Sequence, residues 1–315
     1  MVDHLTASSR RNRLSIARAS LEGLSVGDAF GEQFFDVPQI VEPAINVRFV
    51  PEGTWRFTDD TMMAMSVYNC LSPYGGIDPA KLAADFARRY DRTRGYGPSM
   101  HQLLADIRLT PSLWSELAKR QIGGAGSWGN GSAMRVAPVG AYFYEDLDAV
   151  VEHARRSAIT THTHPEAIAG AIAIAIAAAL AVRTKGSTAP TRPEFLTSLL
   201  PYVPDSLVRE GIRKARDMDA GTSVRHAVAV LGNGVQISCQ DTVPFALWCA
   251  GEHLGNYEEA LWLTVEGLGD RDTTCAIVGS IVAARTGIEG IPEVWSARRE
   301  PLPEWVMEAT ELLGE

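Results

Sequence analysis

The chain has 315 residues, 46% of them hydrophobic and 21% charged, enough to bury one large core or two ordinary ones. A formal net charge of −9 gives no electrostatic footprint for nucleic acid. The four cysteines, Cys70, Cys239, Cys249 and Cys275, are widely spaced in apolar surroundings with no CxxC pair, which argues against a disulfide or zinc framework and for the reducing cytoplasm.

No Pro/Ser/Gly-rich or charge-dense linker divides the sequence, so a single domain over 13–315 is expected, after a flexible segment 1–12. Arg10, Arg11, Arg13 and Arg18 make the start basic, without the apolar stretch and cleavage site of a signal peptide. From Arg13 to Ala29, Leu14, Ala17, Leu21 and Leu24 recur at helical spacing, and Gly23 and Gly27 leave room for a close neighbour. This helix is expected to end near Gly27-Asp28-Ala29-Phe30-Gly31, leaving Glu32 either solvated or aimed with its neighbours into a cleft. Residues 36–54, with Pro38, Pro43, Pro51 and Gly53, read as irregular chain leading to Thr58-Asp59-Asp60-Thr61. A helix burying Met62, Met63, Met65 and Val67 follows that tetrapeptide and stops before Ser72. Asp78-Pro79 and Thr110-Pro111 carry the start signals of two more helices.

Residues 123–132 are the most glycine-dense part of the chain. They form either a surface loop or, with backbone N–H groups converging ahead of a helix start, an anion cradle, although neither a P-loop nor a dinucleotide fingerprint fits. Thr160-Thr161-His162-Thr163-His164-Pro165 reads as a capping turn in which one histidine can hydrogen-bond a ligand. Histidines at i, i+2 share a metal only on extended chain. The alanine-rich run from Ile168 to Val182 is too short to span a membrane and reads as a buried core helix. Further helical segments follow, Gly232-Asn233-Gly234 forming a tight turn among them, as far as Gly269-Asp270-Arg271-Asp272-Thr273 and another small-residue helix. Convincing strands are scarce, so the fold class is all-α: a compact, single-domain, multi-helix protein with a cleft. A monomer is the expectation.

Thr58-Asp59-Asp60-Thr61 is open to two readings. It is an N-cap with more negative charge than capping needs, or it is half of a divalent-metal site whose other half is Asp270-Arg271-Asp272-Thr273. Four clustered carboxylates are costly in a dry cleft unless cations neutralise them. An all-oxygen donor set of Thr58, Asp59, Asp60, Asp270, Asp272 and Thr273 selects Mg²⁺, Mn²⁺ or Ca²⁺.

Gly27-Asp28-Ala29-Phe30-Gly31, Thr58-Asp59-Asp60-Thr61, Gly129-Asn130-Gly131-Ser132-Ala133-Met134-Arg135 with Pro138, Thr161-His162 with Pro165, and Gly269-Asp270-Arg271-Asp272-Thr273 stand in an order that resembles the ADP-ribosylglycohydrolase family, from about Leu14 to about Ile291. The resemblance implies a hydrolase that uses two divalent cations, Mg²⁺ or Mn²⁺, to cleave the glycosidic bond between ADP-ribose and an acceptor. The acceptor is a protein side chain, a nucleobase or a small molecule. It implies that Thr58, Asp59, Asp60, Asp270, Asp272 and Thr273 are the metal ligands and that Ser127, Trp128, Gly129, Asn130 and Gly131 form the diphosphate cradle, with Trp128 placed to stack on adenine. It makes His162 a ligand contact, and Asp59, Asp60 or Glu32 the base that activates water. Phe35 stands where the family commonly carries a metal-adjacent glutamate, and Glu32 rather than Asp36 is taken for that role. The same scaffold also serves non-catalytic ADP-ribose binding, the competing expectation.

Overall fold

In the computed structural model, which describes residues 7–306, helices run throughout and no strand ladder occurs among the described residues. The first helix, Ala7–Glu32, runs straight through the expected stop at Gly27–Gly31 and begins inside the stretch 1–12. Residues 1–6 of that stretch lie outside those described.

The close approach expected at Gly23 and Gly27 is present, and it extends to Gly31 in place of the expected stop. Gly23, Gly27 and Gly31 form one i, i+4 row that lies against the backbone of the Arg271–Thr286 helix. A Cβ at Gly27 would stand 2.3 Å from the Cys275 carbonyl oxygen, and one at Gly31 would stand 2.2 Å from that of Arg271. At Gly23 the Gly279 oxygen would be 2.4 Å away. As the first helix ascends from Gly23 to Gly31, its partner descends from Gly279 to Arg271, so the pair is antiparallel. The last turn of one helix therefore meets the first turn of the other.

Around this pair lies a core filled at several levels. The Pro165–Arg183 helix, 19 residues long and apolar enough to pass for a membrane span, is mostly buried at the centre of the molecule. His164 caps it, its Nδ1 accepting from the Glu166 N–H at 3.1 Å. An aromatic cluster seals the C-terminal end of the first helix: Phe30 stacks on Trp295 with ring centroids 4.2 Å apart and meets Trp262 edge-on at 5.0 Å. Offset and edge-on rings each add a fraction of a kcal/mol to about 1.5 kcal/mol beyond the area they bury.

Residues 36–54 are less irregular than their prolines suggest. Pro38–Asn46 is a helix, opened by a proline at its first turn and packed through Val41 and Ile45. The helix after Thr58 runs Asp59–Tyr74, past the expected stop before Ser72, and ends on Gly75 in the left-handed conformation. Two isolated β-bridges, Trp55 with Arg299 and Gly129 with Ser238, tie down the segments that lead into the cleft.

Candidate metal centre and ligand cleft

Three helices deliver one carboxylate each to a single point. Asp28 comes from the penultimate turn of the first helix, Asp60 from the first turn of Asp59–Tyr74, and Asp272 from the first turn of Arg271–Thr286. Each offers an oxygen, and these oxygens lie within 4.8 Å of one another. Two helix N-termini converge here, and their partial positive charge favours anions.

The turn at Thr58 serves as both cap and ligand set. Thr58 is extended, and its Oγ1 lies 2.9 Å from Asp28 Oδ1 and 3.0 Å from Asp60 Oδ2. Asp28 accepts from the Thr58 and Thr61 N–H groups, each 3.0 Å from Oδ2, so a carboxylate from another helix completes this N-terminus. Thr273 Oγ1 reaches Asp60 Oδ2 at 3.4 Å, closing the link between the two acidic turns. The 90–97 loop bears on the same turn, the Arg94 carbonyl accepting from the Asp59 N–H at 2.7 Å.

Electrostatics shows the cost of this arrangement. Burial pushes the Asp28 pKa up to about 6. Burial and the Asp28 charge push Asp59 up to about 8 and Asp60 well above the ordinary carboxylate range. Asp272 is driven well up by burial and then by Asp60, and Asp270 is raised by burial as well. Asp60 Oδ1 is buried without a hydrogen-bond partner. An unpartnered carboxylate oxygen facing two further carboxylates is a donor set of hard oxygens that fits Mg²⁺, Mn²⁺ or Ca²⁺.

Asp28 is the ligand candidate that the sequence reading left out. Its signal is the Gly27 and Gly31 bracket, where the expected helix end proves to continue the close-packing face that Gly23 and Gly27 suggest. Asp59 and Asp270 flank the central triad. Asp270 accepts from Asn130 Nδ2 at 2.7 Å, and its own N–H donates to the Asn233 carbonyl at 3.1 Å. Asn233 and Thr242, which holds Asn130 at 3.0 Å, are supporting residues that no motif announced. Glu32 lies one turn beyond Asp28 at the rim, its side chain making no hydrogen bond among the described residues; partial desolvation and then the Asp28 charge raise its pKa. Asp36 is occupied in a local turn with the Val37 N–H at 2.7 Å. The exposed Phe35 ring lies under the Arg271 guanidinium, 5.3 Å away.

The glycine-dense loop forms the adjoining wall. Asn130 and Ser127 are buried, whereas Trp128 stays exposed, its ring edge-on to His164 at 5.5 Å. The loop is pinned by Cys239 N–H to the Trp128 carbonyl at 3.1 Å and by Ser127 Oγ to the Gly129 N–H at 3.2 Å. The His162 ring fills the space that side chains at Gly129 and Gly131 would need, 3.1 Å and 2.8 Å from their built Cβ positions. His162 and His164 thus have separate work, one facing the loop and the other capping a helix.

The family model for ADP-ribosylglycohydrolase matches residues 8–315. The chain belongs to the ADP-ribosylglycohydrolase family. It is 28% identical to the human ADP-ribosylhydrolase ARH3, covering 92% of this chain and 91% of that protein. Identity is 26% to the Pseudomonas putida ADP-ribosylarginine hydrolase Tri1, over 90% and 73% of the two chains. Among solved structures, an ADP-ribosylglycohydrolase-related protein complex superposes with a TM-score of 0.63 at 26% identity, covering 96% of each chain.

Proposed function

We propose that this family member hydrolyses the glycosidic bond joining ADP-ribose to an acceptor, with two divalent cations of the Mg²⁺ or Mn²⁺ type at the acidic cluster. The observation that carries the reading is the meeting of Asp28, Asp60 and Asp272 around the unpartnered Asp60 Oδ1, next to the glycine-dense loop that Asn130 ties to Asp270. Thr58, Asp59, Asp60, Asp270, Asp272 and Thr273, joined by Asp28, are the residues that would hold the ions. Bound there, such ions neutralise the cluster and supply Lewis acidity toward ribose hydroxyls and water.

The remaining roles fall to the chain itself. Ser127 to Gly131 cradle the diphosphate, the exposed Trp128 face takes the adenine, and His162 contacts the ligand beneath the loop. Binding at these remote points positions the anomeric carbon over the acids. Cleavage develops positive charge on the ribose ring, which the carboxylates stabilise. Glu32, its side chain free of hydrogen bonds among the described residues and its pKa raised, is best placed to take the proton of the attacking water. The acidic half-sites on the Asp59 and Asp60 side anchor the ribose.

Phe35 in place of a family glutamate favours a second reading, non-catalytic binding of ADP-ribose. One assay separates the two: ADP-ribosylated arginine, serine and nucleic-acid substrates, each with Mg²⁺, with Mn²⁺ and with a chelator. Metal-dependent release of ADP-ribose that is lost in Asp272→Ala, with helicity retained, is the expected outcome. Tight ADP-ribose binding without release from any substrate would establish the second reading. Release that survives both chelation and the substitution would overturn the metal centre.

A further inference from the structure

Arg135 is fully buried, and among the described residues no carboxylate hydrogen-bonds to it. Its guanidinium is held by neutral acceptors: Nη1 donates to the Gly131 carbonyl at 2.9 Å, and Nη2 donates to the Ser157 carbonyl at 3.0 Å and to Thr161 Oγ1 at 2.9 Å. The Phe86 ring lies 4.6 Å from its central carbon. The Asp59 charge acts on it without a hydrogen bond; a buried cation that no carboxylate contacts is costly, and a use beyond packing would account for it.

Thr161 supplies that use. Its Oγ1, while accepting from Arg135, lies 2.6 Å from His162 Nδ1. A hydroxyl has one proton to give, and no other acceptor is within reach of this one. If His162 carried its proton on Nδ1, two donors would point at Thr161 Oγ1 and the buried hydroxyl proton would have nowhere to go. With the proton on Nε2, Arg135 donates to Thr161 and Thr161 donates to Nδ1, so the hydroxyl both accepts and donates and only the Nε2–H is left to be met from outside. Among the described residues His162 Nε2 makes no hydrogen bond, and it faces the close approach of Gly129 and Gly131. Burial, followed by the nearby Arg135 charge, pushes the His162 pKa down to about 3, so the ring stays neutral at ordinary pH.

We propose that Arg135 and Thr161 are positioning residues that lock His162 in the Nε2–H tautomer, presenting one neutral N–H donor between Gly129 and Gly131 to an oxygen of the bound ADP-ribose. The same guanidinium holds the Gly131 carbonyl, so a single side chain fixes both the donor and the loop that frames it. This rests on the functional reading above for the ligand, but the tautomer is a property of the free protein and is measured without substrate.

Long-range ¹⁵N–¹H correlation spectra of protein labelled at histidine, with the His162 signals assigned by their loss in His162→Gln, read the tautomer directly. The expected pattern is a protonated Nε2 and a bare Nδ1, unchanged between about pH 5 and pH 8. Thr161→Val keeps the shape and removes the hydroxyl; it should abolish the tautomer preference and weaken calorimetric ADP-ribose binding about tenfold, the cost of one misplaced hydrogen bond. Thr161→Ser should restore both. A protonated Nδ1 in the unmodified protein, or an unchanged tautomer in Thr161→Val, overturns the proposal, and if Thr161→Val does not fold the spectrum of the unmodified protein still decides. A correct tautomer in a protein that binds ADP-ribose but releases none from any substrate would sink the hydrolase reading and leave this one standing.

Discussion

Asp28, Asp59, Asp60 and Asp272 make the chelated, metal-free protein a proton sink. Their folded-state pKa values lie above the unfolded value of 3.8, so the folded chain binds more protons than the unfolded chain between those values. The stability they confer is complete below about pH 4 and drains away as pH rises through about 6 for Asp28 and about 8 for Asp59. In excess chelator the melting temperature should therefore fall between about pH 5 and pH 8, with the slope reduced in Asp60→Asn. Added Mn²⁺ should raise it most at the alkaline end, where the carboxylates are charged. A melting temperature that climbs with pH in chelator, or that ignores Mn²⁺, would contradict this. Much of this chemistry is legible in the sequence, because paired acids beside threonine at two helix starts, Asp59-Asp60 and Asp270-Arg271-Asp272, exceed what capping needs. Asn233, Thr242 and Arg135 are not, since their roles arise from neighbours that no spacing relates.

Helices show the same division. Helical periodicity and capping signals locate the Asp59 start and the alanine-rich core helix, and Gly23 and Gly27 read as a close crossing; Gly31 instead reads as the helix's end, because glycine at a C-terminus and glycine at a close crossing look alike in one dimension. The crossing gives a prediction of unusual sign. Gly→Ala inside a helix ordinarily gains about 1 kcal/mol. At Gly27 the new Cβ would sit 2.3 Å from a backbone oxygen that cannot rotate away, so Gly27→Ala should instead lose about 2 kcal/mol in urea unfolding and shift Asp28 out of register. Gly255→Ala, whose Cβ would meet only Ala189 at 3.8 Å, is the control and should stay within about 0.5 kcal/mol of the parent. Equal effects at both positions would show that the close crossing is not what makes Gly27 necessary.

Across the whole molecule, the acidic turn is buttressed from the far end of the chain. The Trp55 N–H donates to the Arg298 carbonyl at 2.7 Å and the Glu300 N–H to the Trp55 carbonyl at 2.9 Å. Glu300 Oε1 accepts from the Phe57 N–H at 2.9 Å, and its carboxylate pairs with Arg94, whose loop holds Asp59. Glu300→Gln should lower stability by about 1.5–3 kcal/mol, the worth of a charge-assisted bond, and weaken Mn²⁺ binding in a calorimetric titration while helix content stays constant. Unchanged Mn²⁺ affinity would reduce this clasp to a tether. Nothing in the sequence announced it, because a glutamate following Arg298-Arg299 is indistinguishable from a solvated surface charge until its partners are placed.

The antiparallel pairing of the first helix with Arg271–Thr286 also bears on how the protein is made. Contacts bridging some 250 residues raise contact order and slow the search for the native arrangement. During synthesis Asp28 leaves the ribosome early and waits for Asp272, while the apolar Pro165–Arg183 helix, already translated, lacks one of the helices that covers it. The nascent chain therefore passes through a stage with a greasy helix uncovered and no assembled cation site, a stage at which a chaperone has something to hold.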